Sequence, residues 1–423
     1  MSDLAKYAEQ LGQRARQASR RLADLNGAAR TAALNCIADD LGASSQRILA
    51  ANGKDIAAAQ AAGLAEAMIE RLRLNEKRIA AMAESVRQIA GQVDPVGQVI
   101  EGYVRPSGLR ITRVRVPLGV ICFIYESRPN VTSDAAALCL KAGNAVILRG
   151  GKEAVHSNTA ISAVIGEALG KSGLDPAAVQ MVESADRQLV GHLLKLDKYI
   201  DLVIPRGGKS LIQAIVGQSA IPVLKHYEGV CHIYVDAGAH DMADQVSQIC
   251  VNAKTSYPGG AVCNAVEKIL FHRNVAEKLL PRVCAALAEA GVEIRGDGRA
   301  CRLFAQAKPA TAADWDAEYL ALIVTVGVVD SLEAAIDHIN AHGSHHTDAI
   351  LSSDVRAIEK FTRLVDSASV MVNASTRLAD GGEYGLGAEI GISTDKLHAR
   401  GPMGAADLTT SKWVVTGDGH LRT

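Results

Sequence analysis

Aromatic residues are scarce in this chain. Phe, Tyr and Trp together make up 4%, and Trp occurs twice. That scarcity disfavours a surface on which nucleobases stack. The charges are nearly balanced, and a formal net charge of -1 leaves no electrostatic footprint for nucleic acid or an anionic membrane. No apolar run approaches the length of a membrane span. The N-terminal stretch is polar and amphipathic and has no apolar core of a secretory signal; Asp3, Glu9 and Asp24 argue against a transit peptide. None of the eight cysteines stands in CxxC spacing, so a zinc ribbon or a thioredoxin-type motif is excluded. Cysteines dispersed in this way point to a reducing, cytoplasmic setting.

What is present is a long chain with a large apolar fraction. At 423 residues and 48% hydrophobic content, two or three domains with sizeable cores are expected. Residues 3–92 are Ala-rich, with apolar residues at three- and four-residue spacing through Ala28–Leu41 and Met68–Ile89, which predicts successive amphipathic helices. Asn26-Gly27 and Asn52-Gly53 are expected to separate them. Val99–Val116 alternates around a Pro-Ser-Gly turn and predicts a projecting β-hairpin, with Arg110, Arg113 and Arg115 expected on one face. A hairpin of this composition cannot bury itself alone and needs a domain or a subunit to pack on.

After the hairpin the pattern changes to buried parallel strands joined by helices. Val120–Ile124 reads as a strand, with the polar turn Glu126-Ser127-Arg128-Pro129-Asn130 at its C-terminal end. A helix at Val131–Ala142 and a strand ending in Arg149-Gly150-Gly151-Lys152 complete a β-α-β unit of the doubly wound type. Ligands in such sheets bind beyond the strand C-termini, which places Asn130 and Arg149 to Lys152 at the lips of a site. Pro205-Arg206-Gly207-Gly208-Lys209-Ser210 closes a later strand and opens a helix. Glycine amides at a helix N-terminus beside Arg and Lys predict a phosphate site. A P-loop needs a further glycine where Val203 stands, so a kinase-like loop is excluded.

The chemistry is expected at Asn252–Glu267, NAKTSYPGGAVCNAVE. Pro258, Gly259 and Gly260 break any regular element and deliver Cys263 where backbone amides point at an oxyanion. Such dipoles favour a thiolate and a tetrahedral intermediate. Upstream, His226, Tyr227 and Glu228 stand at the mouth of a strand. Downstream, His338 and His342 lie one helical turn apart, followed by His345 and His346. The HExxH pattern needs a glutamate where Ile339 stands, so no metal is expected. These histidines, with Thr347-Asp348, are instead expected to cap a helix and line a pocket for an anionic substrate. Asn373, Ser375, Thr376 and Arg377 form another polar cluster after a buried strand.

Several separated stretches carry a family resemblance: PLGVICFIYESRPNVTSDAAALCLKAGNAVILRGG, VNAKTSYPGGAVCNAVE, VDSLEAAIDHINAHGSHHTDAI and VNASTRLADGGEYGLGAEIGISTDKLHARGPMGAADLTTSKW. Over nearly its whole length the sequence resembles the gamma-glutamyl phosphate reductases (glutamate-5-semialdehyde dehydrogenases) of the aldehyde dehydrogenase superfamily. The resemblance implies an α/β fold: a doubly wound parallel-sheet NADPH domain (1–98 and 117–233), an α/β catalytic domain (234–400) and a β-hairpin oligomerisation arm (99–116 and 401–423). It implies Cys263 as nucleophile and the Asn130 amide as oxyanion donor. Glu228 matches the general base of hydrolytic members, a function that acyl-phosphate reduction does not need, and it is grouped with the cofactor site. Glu318 matches the acid that grips the nicotinamide ribose. Arg149, Gly150, Gly151 and Lys152 fall in the segment at the adenosine ribose, where a cation suits the 2′-phosphate of NADPH. Arg206, Gly207, Gly208, Lys209 and Ser210 complete the cofactor set. Arg377 with His338, His342, His345 and His346 is expected to read the substrate phosphate or α-carboxylate.

The implied reaction is NADPH-dependent reduction of L-glutamate 5-phosphate to L-glutamate 5-semialdehyde and phosphate, in a cytoplasmic homo-oligomer on the route to proline, with glutamate 5-kinase as a channelling partner. Alternatives are a hydrolytic or CoA-acylating aldehyde dehydrogenase, or a non-catalytic binding protein. One departure stands out: Gly259-Gly260-Ala261-Val262 makes the approach from Pro258 to Cys263 longer than the family pattern.

Overall fold

Helix-forming composition dominates the first 92 residues, and the computed structural model of the chain, which describes residues 3–126, 128–184 and 186–422, begins accordingly. Five helices run in succession: α1 (Asp3–Ala23), α2 (Gly27–Ala43), α3 (Ser45–Ala61), α4 (Glu66–Leu72) and α5 (Glu76–Gly91). Asn26 caps α2 by accepting from the Ala29 N–H, as the Asn-Gly break predicts. Asn52-Gly53 does not break the chain; it lies inside α3. Its side chain is the reason. Asn52 is buried, donates to Leu72 O and Ser157 Oγ, and accepts from the Leu74 N–H. Those long-range bonds outweigh the small helix penalty of Asn and Gly, roughly 1 kcal/mol each. The periodic run Met68–Ile89 is likewise two helices, because Asn75 caps α5 through the Arg78 N–H.

The chain divides into two compact units, Met1–Lys225 with Gly385–Gly391 and Leu397–Thr423, and His226–Tyr384 with Ile392–Lys396. The first holds two sheets. An antiparallel ribbon joins β1 (Val99–Val104), β2 (Arg110–Pro117) and the C-terminal strand Thr409–Thr416, with β2 in the middle. Strand alternation puts Arg113 and Arg115 on one face and Arg110 on the other, correcting the expected triplet. Arg113 lies over the Trp413 ring at 5.6 Å and donates to Ser411 Oγ. Arg115 donates to Ala406 O and Thr409 Oγ1.

The other sheet of this unit is all parallel, in the order β5-β4-β3-β6. Its strands are β3 (Val120–Tyr125), β4 (Ala145–Arg149), β5 (Val179–Met181) and β6 (Leu202–Arg206). The strands are linked by α6 (Asn130–Lys141), α7 (Val155–Lys171) and α8 (Arg187–Leu193), and α9 (Lys209–Gln218) follows β6. Every residue of β3 is buried, which is why it reads as a continuous apolar run rather than an alternation. One contiguous core joins this sheet to α1, α2, α5, α6 and α7. Each fully buried Leu, Ile or Phe there contributes about 1.5–3 kcal/mol. Ser127 of the expected polar turn lies outside the described residues.

The second unit is built on seven parallel strands in the order β10-β9-β11-β8-β7-β12-β13. They are β7 (Cys231–Val235), β8 (Val266–His272), β9 (Glu293–Gly296), β10 (Lys308–Pro309), β11 (Ile323–Val329), β12 (Thr347–Leu351) and β13 (Ser369–Val372). Alternate residues sort to opposite faces. Ile233, Val235, Ile269 and Phe271 pack with α10 (Ala243–Thr255) and α11 (Arg273–Glu289). Tyr234 and Leu270 pack with α13 (Leu332–His342) and α14 (Val355–Leu364); a short α12 (Gly298–Leu303) precedes β10. Helices on both faces of a parallel sheet make this unit doubly wound.

Candidate active site

The cysteine turn is prepared at the end of α10. The short 3-10 turn Pro258–Gly260 contains two glycines with positive φ, Gly259 at 69° and Gly260 at 65°, conformations that a side chain disfavours. The chain then turns again, with Val262 N–H donating to Gly260 O and Ala265 N–H to Val262 O, before β8 begins. Cys263 is half-buried on this turn. Among the described residues its backbone N–H has no protein acceptor.

Two contacts pin the turn from behind. The Cys231 thiol donates to the Cys263 carbonyl at 3.2 Å. Gly229 lies so close that a Cβ there would sit 1.9 Å from the same carbonyl oxygen. Gly229 N–H in turn donates to Glu318 Oε1 at 2.9 Å. Burial raises the Glu318 pKa; the Gly229 N–H lowers it, the Glu228 charge raises it, and His346 and Lys254 lower it. Glu228 and Glu318 are therefore neighbours of one another and of the cysteine turn.

Beneath the turn lies a buried charge cluster. Lys254, the last-turn residue of α10, pairs with Glu267 of β8 at 3.0 Å, and neither side chain has solvent exposure. Burial pushes Glu267 up and Lys254 and Lys268 down, against their mutual attraction. Lys268 donates to Ala317 O and lies over the Tyr319 ring at 4.4 Å. On the other side, Asn264 donates to Ala379 O at 3.0 Å and accepts from the Arg377 guanidinium. Arg377 also donates to Ser256 Oγ and lies over the Tyr257 ring. Arg377 is thus joined to the residue that follows Cys263.

The expected group of four histidines separates in the fold. His346 is fully buried and comes to Cys263 together with His226: one ligand atom from each of these three residues lies within 4.8 Å of the others. His345, at φ 60°, turns its Nδ1 to Asp366 O at 2.6 Å. The rings of His338 and His342 lie tilted 4.5 Å apart on α13, and His338 meets Trp315 and His232 edge-on. Burial, followed by the neighbouring His232, His342 and Lys268, drives the His338 pKa down to about 3. Thr347 and Asp348 cap no helix. They are buried in β12, where Asp348 accepts from the His232 N–H and the Ser367 hydroxyl.

In the first unit, Asn130 is the opening residue of α6 and donates to Asp134 Oδ2 at 3.1 Å. Arg149 ends β4 and donates to Gly150 O, and burial lowers its pKa. Gly151 is buried, and Lys152 is exposed at the start of a single 3-10 turn. Arg206 ends β6 and donates to Ile390 O at 3.5 Å. Gly207 and Gly208 lead into α9, whose N-cap, Gly208, offers no side-chain acceptor, so the first-turn amides of Lys209 and Ser210 are not capped by it. Gly150 forms a cradle: a Cβ there would meet Asn158 Nδ2 at 2.1 Å. That Nδ2 atom is buried and without a hydrogen-bond partner among the described residues.

Residues that sequence reasoning did not single out for the site are Lys254, Glu267, Asn264, Gly229 and Cys231. Only one pair left a signal: Glu267-Lys268 puts two charges into an otherwise apolar strand. His226 was visible at a strand mouth, but its approach to the thiol was not.

The Aldehyde dehydrogenase family matches residues 3–300. The parallel units and the cysteine turn are therefore those of an aldehyde dehydrogenase, a class that uses a nicotinamide cofactor. The chain is 52% identical over 409 residues to Gamma-glutamyl phosphate reductase of Geobacter metallireducens, covering 96% of this chain and 97% of that one. Its structure is similar to that of Gamma-glutamyl phosphate reductase from Thermotoga maritima, with a TM-score of 0.95 and 42% identity over 98% of this chain and 100% of that one. The Saccharomyces cerevisiae enzyme of the same name gives a TM-score of 0.53 at 30% identity, over 100% and 99% of the two chains. The chain belongs to the gamma-glutamyl phosphate reductases within the aldehyde dehydrogenase family.

Proposed function

We propose that this oxidoreductase reduces L-glutamate 5-phosphate to L-glutamate 5-semialdehyde, releasing phosphate, with Cys263 as the nucleophile. The observation that carries the reading is the Cys263 turn, fixed from behind by Gly229 and Cys231, with its own N–H left to a non-protein acceptor. The Cys263 thiolate attacks the acyl carbon, and the charge that develops on oxygen is met by that N–H. The tetrahedral adduct expels phosphate and leaves a thioester on Cys263. When bound, the reduced nicotinamide supplies the hydride that turns the thioester into a thiohemiacetal. Departure of the Cys263 sulfur then releases the aldehyde and restores the thiolate. The product cyclises to pyrroline-5-carboxylate on the route to proline.

The roles of the surrounding residues belong to the same proposal. Asn130 serves as a second oxyanion donor, on the strength of the family resemblance. Arg377 binds an anionic group of the substrate, because it is a cation joined through Asn264 to the nucleophile's own segment. His346 stays with the substrate group; the positions of His338, His342 and His345 on other partners lend that role less support. Glu318, bonded to the Gly229 N–H, and its neighbour Glu228 hold the nicotinamide ribose.

The dinucleotide fits the first unit through the Gly150 cradle, the orphaned Asn158 Nδ2 and the uncapped α9 N-terminus with Arg206 and Lys209. Exposed Lys152 and nearby Arg149 favour NADPH over NADH. We assign residues 1–98 and 117–233 to cofactor binding, 234–400 to catalysis and the β1–β2 ribbon with the C-terminal strand to assembly. The ribbon leaves Val99, Tyr103, Val104, Trp413 and Val415 exposed on strands that include an open sheet edge, which suits pairing with a second copy of the chain. No helix of the described residues is long and apolar enough to cross a membrane. The proposed reaction is that of a cytoplasmic enzyme fed by glutamate 5-kinase.

The test is Cys263→Ala assayed with L-glutamate 5-phosphate and NADPH. Turnover is expected to fall to background, a loss on the order of 10⁶-fold for a nucleophile, with the circular dichroism spectrum unchanged. Residual turnover within tenfold of the parent would reject the assignment. CoA dependence or an acid product would instead identify one of the related chemistries.

A further inference from the structure

The thiol that the proposed reaction uses also belongs to an arrangement that the reaction does not need. His226, Cys263 and His346 each offer one ligand atom, and the three atoms lie within 4.8 Å of one another. We propose that these side chains form a binding site for Zn²⁺, which caps the nucleophile and switches the enzyme off reversibly.

Topology assembles the site. His226, Cys263 and His346 precede β7, β8 and β12, which are adjacent in the sheet in the order β8-β7-β12. The strands are parallel, so all three approaches reach the same, amino-terminal edge. The donor set is two imidazoles and one thiolate. That set selects borderline-soft Zn²⁺ over Mg²⁺ or Ca²⁺, which take oxygen ligands. Zinc bonds of about 2.0–2.3 Å place tetrahedral N and S ligands roughly 3.3–3.6 Å apart. Closing from the 4.8 Å bound therefore needs shifts of no more than about 1.5 Å. His226 and Cys263 are half-buried and can make them by rotamer adjustment.

His346 supplies the fixed corner. It is fully buried, its Nδ1 lies 2.9 Å from Thr347 Oγ1 and 3.8 Å from Cys231 Sγ, and its ring meets that of His226 edge-on at 5.6 Å. A hydroxyl on one ring nitrogen is the outer-shell partner that orients a metal-binding imidazole. The close approach of Gly229 to the Cys263 carbonyl ties the His226 segment to the cysteine turn, so two ligands are held in one packed unit. Glu228 and Glu318 add negative potential around a dication. With three protein ligands, the fourth zinc position is left to water, which makes the site open and its metal exchangeable.

The binding test is independent of any assay of the proposed reaction, so its failure and the failure of that reading are distinguishable. Co²⁺ is titrated into the full-length protein as a spectroscopic probe. One equivalent is expected to give a thiolate-to-cobalt charge-transfer band and the d–d bands of a four-coordinate ion, both erased by Zn²⁺. Cys263→Ser should remove the charge-transfer band. His226→Ala, at a half-buried position that spares the fold, should weaken binding by at least about tenfold. A Cys36→Ser/Cys301→Ser variant, lacking the two other partly exposed thiols, should keep the band. Separately, Zn²⁺ should slow iodoacetamide labelling of the Cys263 peptide at least tenfold while Cys36 and Cys301 label at unchanged rates. No charge-transfer band, a band that survives Cys263→Ser, undiminished binding in His226→Ala, or unprotected Cys263 would each overturn the proposal.

Discussion

Strands β3 and β8 both lie inside parallel sheets, and both are buried along nearly all their length. They are buried differently. β3 is apolar apart from one tyrosine hydroxyl, which meets Thr132 Oγ1 at 2.6 Å. β8 carries Glu267 and Lys268 into the interior, and its neighbour β7 carries His232 and Cys231. The first sheet keeps its charged side chains, Arg149 and Arg206, at its strand ends. The second buries ionisable groups within the sheet and spends packing on them, next to the cysteine turn. Uncompensated buried charge is costly, and partnered charge positions its surroundings tightly. The contrast therefore separates a region built for support from one built to hold the Cys263 turn in place.

The largest effect on this contrast is expected from Glu267→Gln, which leaves the Lys254 ammonium buried without its carboxylate. Breaking one side of such a pair costs about 3–5 kcal/mol, read from urea unfolding. The penalty should shrink at alkaline pH, because burial already lowers the Lys254 pKa and the neutral amine needs no partner. A Lys254→Met/Glu267→Met double variant should recover most of the stability. If the single variant costs less than about 1 kcal/mol, the pair does not organise the unit as argued.

Gly229→Ala comes next. Its Cβ would fall on the Cys263 carbonyl, so the turn must move. A displacement of this order costs about 100-fold in kcat. Unchanged kcat would show that the turn is not held from the Gly229 side. In the first unit, Ile147→Val in β4 removes one buried methyl group and should cost about 0.5–1.5 kcal/mol, with kcat unchanged. A large kinetic effect there would erase the distinction between platform and site.

The last prediction concerns pH. In the folded chain the His338 pKa is about 3 and its reference value is 6.5, so the fold favours the neutral ring. The unfolded chain then binds the extra proton between those values, and stability is lost as pH falls from about 6.5 toward 3. His338→Phe should flatten the decline of melting temperature across that window. An identical slope in both proteins would contradict it.

Sequence periodicity alone decided most of the architecture. Apolar spacing set the N-terminal helices, continuous apolar runs set β3 and β4, and the Gly-rich loops marked the ends of β4 and β6. The Pro-Gly-Gly turn marked Cys263 without any coordinates. These are local properties, fixed by side-chain period and backbone preference within a few residues of each position. Tertiary structure decided the rest. Asn52-Gly53 became helix interior because residues twenty and more positions away bond to Asn52. Four histidines close in sequence parted because a helix, a turn and a strand start send their side chains in different directions. His226, Gly229, Glu318 and His346 met at Cys263 because parallel strand order brings distant segments to one sheet edge, and spacing along the chain carries no record of that adjacency.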